Sequence, residues 1–131
     1  MVLRVSYGSV RVLLPGDIDE AGARRLVRDW RAAGDTLAAQ VLVLPHHGRQ
    51  VPRTLHLLDQ VRPAWAIASC DWRADRYLDA QTAALVEGRG ARLLRTDEEG
   101  TITIVTDGRR LRVSTSRGAL STASCVAAAR G

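Results

Sequence analysis

Apolar and polar residues alternate from the start of the chain. Leu3, Val5 and Tyr7 flank Arg4 and Ser6, Gly8-Ser9 interrupts, and Val10, Val12 and Leu14 resume around Arg11 and Leu13. A period of two broken by a Gly-Ser pair predicts a β-hairpin. The period then lengthens: from Asp19, a natural N-cap, to Ala33, the apolar positions Ala23, Leu26, Val27 and Trp30 recur at helical spacing. Arg24, Arg25, Arg28 and Arg31 lie on the other side, and Gly34-Asp35 ends the helix. Val41 to Leu44 has no polar interruption, the pattern of a central parallel strand covered on both faces.

Pro52 opens a second helix, whose stripe of Thr54, Leu57, Leu58 and Val61 stops before Pro63. Ala64 to Ser69 reads as another buried strand, Cys70 to Tyr77 as a loop, and Asp79 to Glu87 as a helix closed by Gly88 and Gly90. Arg92 to Arg95 gives a strand, Thr96 to Gly100 a turn, and Thr101 to Thr106 pairs through Asp107-Gly108 with Arg109 to Ser114. The order β-β-α-β-α-β-α-β-β-β predicts an α/β fold, with a mainly parallel sheet, right-handed crossovers and antiparallel hairpins at its edges. Residues 1–114 form one domain on this reading, and the Ala/Ser-rich stretch 115–131 is expected to be a flexible tail.

Composition changes this picture little. A chain of 131 residues, 46% of them hydrophobic, is enough for a single core without disulfide staples. Cys70 and Cys125 are read as free thiols. No apolar run approaches the roughly 20 residues of a membrane-spanning helix, and the first residues lack the features of a signal peptide. The expectation is a soluble protein, cytoplasmic by default unless it belongs to a membrane-bound parent. The formal charge of +5 rests on 19 basic residues, all of them arginine, which permits a nucleic-acid partner without demanding one.

Two strand ends carry the candidate chemistry. Leu13-Leu14-Pro15-Gly16-Asp17 and Val41-Leu42-Val43-Leu44-Pro45-His46-His47-Gly48-Arg49 each run from an apolar strand into a tight turn that presents a metal-binding side chain. Carboxylate and imidazole suit borderline divalent cations, and a ligand at the carboxyl end of a buried strand sits on a rigid frame. The competing explanation is a turn aspartate that caps a helix and a histidine pair that hydrogen-bonds its own loop. Trp30 and Trp65 fall on apolar patterns and read as core. Trp72 lies in a loop with Arg73, Arg76 and Tyr77, where it either contacts a ligand together with those arginines or packs over the sheet end.

Taken with Val61-Arg62-Pro63-Ala64-Trp65-Ala66-Ile67-Ala68-Ser69 and Arg95-Thr96-Asp97-Glu98-Glu99-Gly100-Thr101-Ile102, the two strand ends resemble the carboxyl-terminal half of a metallo-β-lactamase-fold domain. The resemblance is closest to the domain of ComEC-type DNA-internalisation proteins of bacterial competence, and it spans about residues 2 to 106. It implies half of an αββα sandwich and a two-metal hydrolase that cuts phosphodiesters, with single-stranded DNA as the implied substrate. Asp17 would be the carboxylate that bridges the metals, and either His46 or His47 a late metal ligand.

Departures from the pattern limit what the resemblance implies. The family's His-x-His-x-Asp-His motif has no counterpart here, and Tyr77-Leu78-Asp79-Ala80 stands where Tyr-Gly-His-Pro is usual. His56, the remaining histidine, falls inside a helix. Zinc or manganese would therefore meet an incomplete ligand set, since a carboxylate and one imidazole leave most of the coordination to water. The expectation is a partial or degenerate hydrolase, inactive alone and needing a second copy or a missing amino-terminal half-domain. The alternative is a non-catalytic nucleic-acid or protein-binding module that uses Arg49, Trp72, Arg73 and Arg76.

Overall fold

The computed structural model describes residues 1–49, 51–71, 73 and 78–118, with backbone alone for 51–53. Strands β1 (Leu3–Tyr7) and β2 (Val10–Leu14) form the expected hairpin, with Leu3 opposite Leu14 and Tyr7 opposite Val10. Helix α1 (Glu20–Ala32) follows; the Asp19 carboxylate caps it by accepting the Gly22 N–H at 2.7 Å. Then come β3 (Val41–Val43), a 3-10 turn (Pro45–Gly48), α2 (Val51–Val61), β4 (Trp65–Ala68) and α3 (Ala80–Gly88) capped by Asp79. The chain continues through β5 (Arg92–Arg95), a single helical turn α4 (Thr96–Glu99), β6 (Ile102–Thr106) and β7 (Leu111–Thr115).

Five strands make one mixed sheet in the order β1-β2-β3-β4-β5, antiparallel at β1-β2 and parallel elsewhere. Alternation along each strand sends side chains to two cores. Leu13, Leu42, Ala66 and Ala68 face the helices and pack with Ala23, Val27, Leu57, Leu58, Val61 and Val86. All four positions of the α2 stripe, Thr54 included, are buried as the sequence predicts.

The opposite face departs from expectation. The β6-β7 hairpin does not extend the main sheet; it forms a separate two-stranded sheet. Leu111 and Val113, with Ile102 and Ile104 beside them, cover Val10, Val41, Trp65, Ile67 and Leu94. The face that half a sandwich should leave bare is thus largely closed by the chain's own end. What stays open is the edge strand, where Leu3, Val5 and Tyr7 are 49%, 48% and 60% exposed. β7 also runs through Thr115, and the Ser116 and Arg117 amides donate to Thr101 and Glu99 carbonyls. Residues 115–118 are therefore tied to the fold, whereas the rest of the expected tail, with Cys125, lies outside the described residues.

One ion pair anchors β1 to the loop after α1. Arg4 donates to the Asp35 carboxylate at 2.7 Å and lies 5.1 Å over the Trp30 ring, while the Thr36 and Trp30 N–H groups also donate to Asp35. Arg4 foremost, then the Thr36 amide, holds the Asp35 carboxyl down at about 2. A carboxyl lowered on folding stabilises the folded state above its unfolded value and loses that contribution as pH falls through its folded value. The unfolding free energy should therefore drop between pH 4 and pH 2, and Asp35→Asn should flatten that slope. Equal slopes for the two proteins, measured by denaturant titration at each pH, would count against the contribution.

Candidate functional site

The carboxyl ends of β2, β3, β4 and β5 open on one edge of the parallel sheet, where the loops of an α/β fold gather their polar side chains. Asp17 leaves β2 through Pro15 and Gly16, and His46 and His47 leave β3 through Pro45. The His46 N–H donates to the Gly16 carbonyl at 3.3 Å, stitching the two turns together.

Both histidines occupy the left-handed region, His46 at φ 51° and His47 at φ 61°, followed by Gly48 at φ 84°. Two consecutive non-glycine residues in this region cost about 1 kcal/mol each or more, strain that concentrates at functional turns. Gly48 permits the turn for a second reason, because a Cβ there would run into the Leu78 side chain.

Geometry separates the two histidines. His47 Nδ1 lies 2.7 Å from the Ser69 carbonyl, which can only accept, so Nδ1 donates there and, in the neutral ring, Nε2 presents its lone pair. That lone pair stands 3.9 Å from Asp17 Oδ1. Buttressing of one ring nitrogen by a carbonyl is the arrangement that orients metal-ligating imidazoles, and 3.9 Å is a span two donors can bridge through one cation with bonds of about 2.1 Å. His46 is turned differently: its Nδ1 is buried and has no hydrogen-bond partner. Among the described residues, no group of three His, Cys, Asp or Glu side chains is placed to hold a metal ion. The donors thus suit a divalent cation in type and fall short of it in number.

Of the predicted contact residues, Arg49 caps the 3-10 turn, with its amide donating to the His46 carbonyl at 3.0 Å. Arg73 is exposed beside Asp71, whose carboxylate accepts its amide at 2.9 Å. Trp72 and Arg76 lie outside the described residues. His56 sits half-buried in α2.

A second polar cluster at the same edge has no clear sequence signature. Thr96 Oγ1 accepts the Cys70 N–H and donates to the Cys70 carbonyl, both at 2.9 Å, locking the end of β4 to the start of α4. The Cys70 thiol donates to Asp97 Oδ1 at 3.2 Å; burial first, then this carboxylate, pushes its pKa up and keeps it protonated. Arg95 grips Asp97 through two nitrogens at 3.1 and 2.8 Å, holding that carboxyl below its ordinary range. Arg-Thr-Asp at a strand end was legible only as turn chemistry, because the thiol it meets lies 26 residues or more away in sequence.

No family model matches the chain. It is 38% identical over 103 residues to the Competence protein ComA of Neisseria gonorrhoeae, a stretch covering 77% of this chain and 14% of that protein. It is 28% identical over 104 residues to the ComE operon protein 3 of Bacillus subtilis (strain 168), covering 78% and 13% respectively. The chain thus spans about one seventh of the length of these curated relatives. Its homology lies with one segment of proteins named for competence.

Proposed function

We propose that the chain carries the carboxyl-terminal part of a metal-dependent phosphodiesterase site of the metallo-β-lactamase type, serving DNA uptake. The relatives' names support the DNA-uptake setting. One observation carries the metal chemistry: His47, buttressed by the Ser69 carbonyl, directs Nε2 toward Asp17 Oδ1 at the carboxyl edge of the sheet. In this reading Asp17 and His47 hold zinc or manganese, and His46 shapes the turn. A divalent cation held there would supply Lewis-acid polarisation of a phosphoryl oxygen and a nucleophile at neutral pH. The chain's own groups orient it: the Ser69 carbonyl fixes the imidazole tautomer, and the Gly16 carbonyl holds the two turns in register. Among the described residues the ligand set stops at this pair, so weak metal binding and little hydrolysis are expected of it.

Calorimetric titration with zinc and with manganese tests this. Asp17→Ala and His47→Ala should each weaken binding at least roughly tenfold, while His46→Ala should weaken it less. Binding that survives both Asp17→Ala and His47→Ala would sink the proposal.

A further inference from the structure

β1 closes the five-stranded sheet on one side, and among the described residues no strand of either sheet pairs with its outer edge. Leu3, Val5 and Tyr7 share a face with their cross-strand partners on β2, and about half of each side chain is open to solvent. Edge strands are ordinarily guarded by proline, a bulge or an outward charge. β1 has none of these. Its one charged residue, Arg4, turns to the helical side, where the Asp35 carboxylate and the Thr36 carbonyl hold its guanidinium. We propose that β1 pairs with β1 of a second copy, antiparallel about a two-fold axis at Val5, joining two five-stranded sheets into one.

The strand's own sequence selects this partner and this register. With Val5 on the axis all five residues pair: Leu3 faces the partner's Tyr7, Arg4 faces the partner's Ser6, and the apolar trio lies on one face in both copies. Placing Arg4 on the axis instead would set two arginines directly opposite one another, which is destabilising. Placing Ser6 there pairs only the last three residues of the strand. An axis between two residues sets apolar against polar and sends the two trios to opposite faces. The backbone agrees with the Val5 register. The two-residue turn Gly8-Ser9 makes Tyr7 and Val10 a hydrogen-bonded pair, so Arg4 and Ser6 aim their N–H and C=O groups away from β2. Those are the groups that meet when Arg4 faces the partner's Ser6. The Tyr7 ring already rests against Gly108, which fixes it for contact with the partner's Leu3.

The pairing stands apart from the metal reading. Asp17 follows the carboxyl end of β2, which lies beside Leu3, so antiparallel pairing sets the two Asp17–His47 edges at opposite ends of the joined sheet. A second copy bound in this way completes neither ligand set.

Sedimentation velocity of the full chain in chelator tests the inference. A five-residue strand buries less than the about 800 Å² per partner of a standard interface, so dimers are expected to build up with a dissociation constant of about 100 μM. Val5→Lys sets like charges opposite at the axis, and Ser6→Pro deletes an outward N–H. Each should weaken association at least roughly tenfold, with thermal melting to verify that both stay folded. Cysteine cross-linking reads the register with Cys125→Ser in place, Cys70 being buried. Val5→Cys should link two copies on mild oxidation, because a non-hydrogen-bonded antiparallel pair brings Cα atoms to about 4.5 Å. Leu3→Cys should not, because it faces the partner's Tyr7. A native chain that stays monomeric at about 500 μM overturns the proposal. Folded variants that associate as the native chain does, or equal cross-linking at positions 3 and 5, would overturn it as well.

Discussion

Truncating Leu42 to alanine is expected to lower the unfolding free energy by about 3 kcal/mol and the melting temperature by roughly 10 °C. Leu42 is fully buried in the middle strand, paired with Leu13 on one side and Ala66 on the other. Its side chain faces the helical core with Leu57, Leu58 and Val61, which are themselves closed to solvent. A cavity there is bounded by a hydrogen-bonded sheet that cannot collapse inward, so both the transfer and the cavity contributions are lost. Leu3→Ala is the control, because Leu3 is half-exposed on the edge strand and its loss should cost well under about 1 kcal/mol. Urea titration of both variants decides the matter. A Leu42→Ala cost near that of Leu3→Ala would mean that the sheet and helices do not pack as described.

Gly8→Ala should be the second costly change, at about 2–4 kcal/mol by the same titration. Gly8 has φ +57°, and a Cβ there would strike the backbone carbonyl of Gly108. That carbonyl accepts the Ser9 N–H at 2.7 Å and the Ser9 hydroxyl at 3.0 Å, so it is the point where the β6-β7 turn fastens to the β1-β2 turn. No flexible side chain can move aside. Either the backbone strains or the hairpin lifts from Val41, Trp65 and Leu94, and near-UV circular dichroism should register the second outcome through Trp65. Gly34→Ala separates strain from collision. Gly34 also has positive φ, at +70°, but nothing lies within 4 Å of its would-be Cβ, so it should show only the conformational cost of about 1 kcal/mol. Equal costs for the two alanines would contradict a tight Gly8–Gly108 junction.

Much of the fold is legible because the determinants are local. The alternation in residues 3–14, the four-position stripe on α2 and the cap Asp19 depend on neighbours within a few residues, and each element forms where its pattern places it. The β6-β7 pair was legible as a hairpin, since Ile102, Ile104, Leu111 and Val113 alternate cleanly. Its separation from the main sheet was not, because period two assigns a face and leaves the hydrogen-bond partner undetermined. The helical turn α4 is likewise hidden: Thr96 to Glu99 is too short for a helical period, and its setting depends on Cys70.

The site divides along the same line. Residue types and strand-end positions single out Asp17, His46 and His47 from sequence. What distinguishes the histidines is a carbonyl 22 residues from His47, together with left-handed backbone that would ordinarily signal glycine. No pattern within the loop itself carries that information.

The Gly8–Gly108 junction also has a consequence in time. Ser9 and Gly108 are 99 residues apart, so the apolar face built by Val41, Trp65 and Leu94 stays uncovered during synthesis until nearly the whole described chain has been made. A hairpin of this size forms within about 1–10 μs once present, so emergence rather than local folding sets the delay. At about 5–20 residues per second, several seconds separate the making of β3 from that of its cover. During that interval the nascent sheet is a sticky surface in search of a neighbour.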